Sequence, residues 1–131
     1  MEIEPIRLSQ QAKGQLIKLK RVTGLKRWHE LCRWAFCTSL AEPSIAASTE
    51  IPADSSVEMT WEAFGGPHHA IYLALLKARC RRDGLGVSAE VLATQLRAHL
   101  HRGIGYLFAD RQMRDISGLF RRLPQGGAPD A

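Results

Sequence analysis

"IRLSQQAKGQLIKLKRVTGLKRWHELCRWAF", residues 6–36, decides the architecture of this chain. Ile6 and Leu8 alternate with Arg7, which is the period of a strand. Ser9 has the side chain of an N-cap and opens a helix expected to run through about Thr23. Ala12, Leu16 and Leu19 fall on one face of that helix, and Lys13, Lys18, Lys20 and Arg21 fan across the other side. Gly14 weakens it by about 1 kcal/mol relative to alanine. Gly24 suits the left-handed position that ends a helix. A second helix is expected from about Lys26 to Leu40. Its apolar stripe is Trp28, Leu31, Cys32, Ala35 and Phe36 at three- and four-residue spacing, and Pro43 stops it.

Working outward, "PSIAASTEIPADSS" (43–56) reads as a loop, being small, polar and punctuated by proline. "VEMTWEAFGG" (57–66) fits either a short strand or a turn of helix. Pro67 suits the first position of a third helix through Arg82, with Ile71, Ala74, Leu75 and Ala78 as its apolar face. "RRDGLG" closes that helix, and Ser88 caps a fourth with Leu92, Leu96 and Leu100 inward. "GIG" (103–105) is expected to break the fourth helix after about Arg102, and its two glycines, flanking Ile104, to allow tight backbone packing. A last helix spans 110–123, with Met113, Ile116, Phe120 and Leu123 on one face. The composition of "PQGGAPDA" (124–131) predicts a disordered tail. The expected fold is therefore one mainly α domain across residues 1–131, a compact helical body with a short extended segment at its start. No internal repeat is visible.

The chain has 131 residues, ordinary hydrophobic content at 45%, and a formal net charge of +5. That excess favours polyanionic partners, nucleic acid before acidic membrane or acidic protein. No run is apolar enough to span a bilayer, and no signal peptide is evident at the first residues, so a cytoplasmic setting without membrane attachment is expected. Cys32, Cys37 and Cys80 form no CxxC pair and read as small core groups of a reducing compartment. Cys80, beside "RCRR", is the best placed of them to be reactive.

The order extended segment, basic helix, glycine turn, second helix resembles the ribbon-helix-helix layout, in which two chains pair their strands and the ribbon enters the major groove. Pro5 shortens such a ribbon here, because proline cannot donate to a ladder. A broader resemblance covers about Ile6 to Leu107. "LCRWAFCTSLAEPS" (31–44), "ADSSVEMTWEAFGG" (53–66), "YLALLKARCRRDGLG" (72–86) and "HLHRGIGYL" (99–107), in this order, resemble the DNA sulfur modification protein DndE family. The resemblance implies a small helical protein, tetrameric, that acts in the replacement of a non-bridging DNA phosphate oxygen by sulfur. It implies work beside a DndC-like iron–sulfur sulfurtransferase and a DndD-like ATPase, and binding to double-stranded DNA, nicked duplex above all, through basic residues.

The residues themselves support a DNA surface. Like charges within two helical turns repel one another unless a polyanion relieves them. Between Lys13 and Phe36 only Glu30 is acidic. The expected contacts are Lys13, Lys18, Lys20, Arg21, Lys26 and Arg27, with Arg7 and Arg33 flanking them. The bland alternative is a solvated helix face, since lysine and arginine form helices well. Trp28 reads as core. Trp34 lies off the stripe and reads as a contact between subunits before a base-stacking platform.

His68 with His69, and His99 with His101, are adjacent or two apart, so they diverge on a helix and argue against a metal site. No cofactor is expected. Glu58 and Glu62 stand far in sequence from Asp110 and Asp115, which is not the carboxylate cluster a metal-dependent nuclease needs. The function expected is a non-catalytic, DNA-binding accessory subunit of the sulfur modification machinery. The alternatives are a ribbon-helix-helix-like regulator of a palindromic operator, and an enzyme that itself cleaves DNA.

Overall fold

A computed structural model describes residues 4–47 and 50–123. The expected tail, 124–131, lies outside the described residues. The element order is β1 (Ile6–Arg7), α1 (Gln10–Thr23), α2 (Trp28–Leu40), β2 (Glu58–Met59), α3 (Trp61–Gly65), a 3-10 turn (Gly66–His68), α4 (His69–Arg82), α5 (Ala89–Ala109) and α6 (Ser117–Phe120). The fold is mainly α, as the hydrophobic periods indicate.

The N-terminal reading holds in detail. The Ser9 side chain accepts from the Ala12 N–H, and Gly24 takes the left-handed conformation that ends α1. Ala12, Leu16, Leu19 and Thr23 are its buried residues. The ambiguous "VEMTWEAFGG" supplies both candidate structures. β2 pairs antiparallel with β1, Ile6 opposite Met59 and Arg7 opposite Glu58. Thr60 then caps the short α3 through the Ala63 N–H.

The long helix α5 has 21 residues, about 31 Å at the α-helical rise. It is the axis of the core. Leu92, Leu96 and Leu100 are fully buried, as their spacing predicts, and so are Ile104 and Leu107. The two further residues show that "GIG" does not break the helix. Gly103 is instead a crossing point. A Cβ placed there would lie 1.8 Å from the Ala35 carbonyl oxygen. Only a missing side chain lets α5 and α2 approach this closely.

Two other expectations change. The 110–123 segment is mostly turns, with α6 confined to Ser117–Phe120. Asp110 and Asp115 explain this. Their carboxylates accept from the Gln112 and Ser117 N–H groups, a local bonding pattern that competes with a helix. In α4 the apolar face is turned outward. Ile71 and Leu75 are 58% and 41% exposed, and Ala74 and Ala78 are exposed with them. The buried face carries Leu76, Arg79 and Cys80 instead. The α-helix also begins at His69 rather than Pro67, because Gly66–His68 form a tighter turn first. Gly66 has φ of 61°, and Arg33 stands 2.8 Å from where its Cβ would be.

Two arginines, Arg79 buried and Arg102 partly buried, close the far end of α2. Arg79 is 5% exposed and donates to the Leu40, Glu42 and Ser44 carbonyls while pairing with Asp83 at 3.0 Å. Arg102 donates to the Ser39 carbonyl, the Ser39 hydroxyl and the Ser44 carbonyl. Ser39 and Leu40 are in the last turn of α2, whose carbonyls lack intrahelical donors, and Glu42 and Ser44 belong to the loop that follows.

Candidate nucleic-acid interface

Helix directions decide where the basic residues gather. The Ser9 N–H donates to His101 Nε2 at 3.1 Å, and Lys18 Nζ lies 5.0 Å from the Phe108 ring centroid. α1 therefore runs alongside α5 in the same direction. Ser39 lies beside His99 and Arg102, while Ala35 meets Gly103, so α2 runs the opposite way. The C-terminus of α1, the N-terminus of α2 and the C-terminus of α5 therefore share one end of the molecule. The Gly24 turn joins the first two there. Lys20, Arg21, Lys26 and Arg27 all sit at or beside that turn.

Arg21, Lys26 and Arg27 are exposed. None of them forms a salt bridge with an acidic side chain among the described residues. Lys20 is partly held, its Nζ 3.8 Å from the Trp28 ring centroid. A cation over a tryptophan face contributes about 0.5–1 kcal/mol at an exposed site. Lys18 sits on the other flank of α1, over Phe108. Like Lys20 it remains at the basic end.

The other expected contacts are divided from this group. Arg7 pairs with Glu58 and donates to the Ser55 carbonyl, and Lys13 Nζ donates to Ser56 Oγ at 2.7 Å. Both therefore lie at the strand end of α1, away from the Gly24 turn. Arg33 turns inward, its Nε donating to the Phe64 carbonyl at 2.6 Å. It closes the end of α3. The structure thus brings together Lys18, Lys20, Arg21, Lys26 and Arg27, and gives Arg7, Lys13 and Arg33 bonds within the fold.

The ribbon is engaged on both edges. β2 occupies one. On the other, Arg97 Nε donates to the Arg7 carbonyl at 3.1 Å. The edge that a second chain's strand would need is thus partly taken by Arg97, and the strand is two residues long, which counts against a two-chain ribbon.

Trp34, Trp61, His99 and His101 are likewise used by the fold, while His68 and His69 are exposed. Trp34 is half-buried, with Phe120 edge-on at 6.1 Å between centroids. Trp61 is buried against Phe64. His99 is fully buried and bonds Ser39 Oγ through Nδ1 at 2.8 Å. Arg102 Nε donates to that hydroxyl, so the hydroxyl hydrogen is free to go to His99 Nδ1. Burial, with Arg102 and Arg79 nearby, lowers the His99 pKa to about 4. His101 accepts from Ser9 at one ring nitrogen and faces the Arg97 carbonyl at the other. The two histidines point to different neighbours.

Burial raises the thiol pKa of Cys32 to about 12. Burial also raises that of Cys80, with Asp83 adding to the effect, so the thiol beside "RCRR" is held protonated at neutral pH. Cys37, expected as a core group, is instead exposed, and partial desolvation by its neighbours still raises its thiol pKa. The carboxylates are dispersed. Glu58 pairs with Arg7, Asp110 with Arg122 at 3.1 Å, and Asp115 bonds Ser117.

The family model described as DNA sulphur modification protein DndE matches residues 5–115. The chain belongs to the DndE family. Its fold is similar to the crystal structure of DndE from Escherichia coli B7A, described as involved in DNA phosphorothioation modification. That match has a TM-score of 0.68 at 23% identity and covers 82% of this chain and 98% of the other. A comparison with curated proteins gives no significant match. No helix among the described residues is long and apolar enough to cross a membrane. The DndE match reaches eight residues past the last segment legible by eye, Leu107, and takes in the turns after α5.

Proposed function

We propose that this DndE-family chain is a non-catalytic accessory subunit of the DNA phosphorothioation machinery, and that it docks on duplex backbone, nicked duplex in preference, through the end of the molecule formed by the Gly24 turn. The observation that carries this reading is the exposure of Arg21, Lys26 and Arg27 together, with no salt bridge among the described residues, in a member of a DNA sulphur modification family. Cations held this way gain little from the fold and much from a polyanion that releases its counterions on contact. Backbone contacts position a protein and read no base sequence. The setting is the cytoplasm, beside a DndC-like iron–sulfur sulfurtransferase and a DndD-like ATPase.

The test is binding to intact, nicked and operator-like duplexes across a salt series. The expected result is a steep fall of affinity with salt, tightest on the nicked duplex and indifferent to sequence. Arg21→Glu with Lys26→Glu should lower the slope of log affinity against log salt by about 2, near one per lost phosphate contact. An unchanged slope in the double variant, or strong preference for one palindrome, would sink the proposal.

Self-association follows from α4. Ile71, Ala74, Leu75 and Ala78 recur at three- and four-residue spacing on its exposed side, and the two alanines let a second helix come close. Copies of the chain pack through this face on the way to a tetramer. Ile71→Lys with Leu75→Lys should reduce the mass measured by light scattering while circular dichroism stays unchanged. A variant that keeps the parent mass refutes the α4 contact.

A further inference from the structure

We infer that Arg111 and Arg114, in the turns between α5 and α6, form a second arm of the DNA-contacting end, so that backbone is gripped by the Gly24 turn on one side and by this segment on the other. The inference rests on the DNA-binding reading above and adds residues that reading does not contain.

Position comes first. From Ser9 beside His101 to Lys18 beside Phe108, α1 advances nine residues while α5 advances seven. The chain leaving α5 at Ala109 therefore emerges beside the last turns of α1, where Arg21 stands. α2 enters the same end from Arg27. Arg111 and Arg114 follow directly, both exposed.

Presentation comes second. The segment is a built turn. The Met113 N–H donates to the Asp110 carbonyl at 3.1 Å, and the Gln112 N–H to the Asp110 carboxylate at 2.9 Å. Met113 is 8% exposed, its sulfur packed over Gly118. A buried anchor between two exposed arginines fixes the backbone from which both project. Less conformational freedom is then lost when they meet a phosphate.

Charge comes third. Neither arginine forms a salt bridge among the described residues. The acids nearest in sequence are occupied elsewhere, Asp110 by Arg122 and Asp115 by Ser117. The turn thus presents cations while its own carboxylates serve its backbone. Arginine's planar fork also suits a phosphate better than lysine's ammonium.

The experiment is fluorescence anisotropy of the full chain on a nicked duplex across a salt series, with the parent, Arg111→Gln/Arg114→Gln and Arg111→Lys/Arg114→Lys. The glutamine pair should bind more weakly, with the salt slope lowered by about 2, and the lysine pair should keep the parent slope. If the parent binds with a steep slope and the glutamine pair keeps both affinity and slope, the second arm is refuted and the DNA-binding reading stands. If the lysine pair loses the slope as the glutamine pair does, charge is not the cause and the inference fails. A parent with no salt-dependent binding overturns both readings.

Discussion

Gly103→Ala is expected to destabilise the protein by more than about 3 kcal/mol, beyond the usual range for an overpacked core. The added methyl would lie 1.8 Å from the Ala35 carbonyl oxygen, 2.4 Å from its carbon and 2.8 Å from its Cα. All three are backbone atoms of α2, so no side chain can rotate out of the way. The helices must separate, and separation loosens Phe36, Leu100 and Ile104, which are fully buried around the crossing. Gly105, two residues on, is the internal control. A Cβ there meets nothing within 4 Å, and a helix interior favours alanine over glycine by about 0.5–1 kcal/mol. Gly105→Ala should therefore leave stability unchanged or raise it. Urea unfolding of both variants decides the matter. A Gly103→Ala midpoint equal to the parent's would mean that α2 and α5 do not cross at this point.

Gly103 also shows where the sequence stops: the tight packing expected of "GIG" is present, the expected break is not, and the partner is hidden. Glycine inside a leucine repeat has two readings, a break or a close approach, and local propensity favours the first. The partner that decides it, Ala35, lies 68 positions away. α4 fails for a related reason. Its best apolar repeat, Ile71, Ala74, Leu75 and Ala78, is real, but periodicity cannot say whether the facing surface is the chain's own core. Burial of Arg79 on the opposite side is visible only once the carbonyls ending α2 are in place. By contrast α1 was legible almost to the residue, because Ser9 and Gly24 carry their own capping chemistry.

The basic end is a mixed case. The concentration of charge in residues 13–36 was evident, yet sequence proximity grouped side chains that the fold separates. Arg33 is six residues from Arg27 but turns into the fold toward Phe64. Arg111 and Arg114 are the reverse case, remote in sequence and delivered to the same end by the parallel run of α1 and α5. A count of basic residues after α5 would have raised them as candidates, but nothing local ties them to the Gly24 turn.

Arg79→Met should cost about 3–5 kcal/mol, the range for removing one member of a buried ion pair. The side chains of Arg79 and Asp83 are each 5% exposed. Methionine fills much of the same volume but leaves the Asp83 carboxylate buried without its cation. It also takes from the Leu40 carbonyl the side-chain donor it now has. The Glu42 and Ser44 carbonyls lose one donor each but keep Arg102. Arg79→Lys keeps the charge but has no fork to span three carbonyls and a carboxylate, so its loss should be smaller but still measurable. The double variant Arg79→Met/Asp83→Leu removes the orphaned charge and should recover part of the loss. Recovery of that kind separates the cost of an unpaired carboxylate from the worth of the pair. An Arg79→Met loss below about 1 kcal/mol would place the pair in the weak, solvent-screened class. Because α2 ends here and begins at the basic end, the DNA affinity of the folded fraction should not change. Loss of salt-dependent binding in molecules that remain folded would mean that the two ends of α2 are coupled, and that the arginine clamp sets the position of the Gly24 turn.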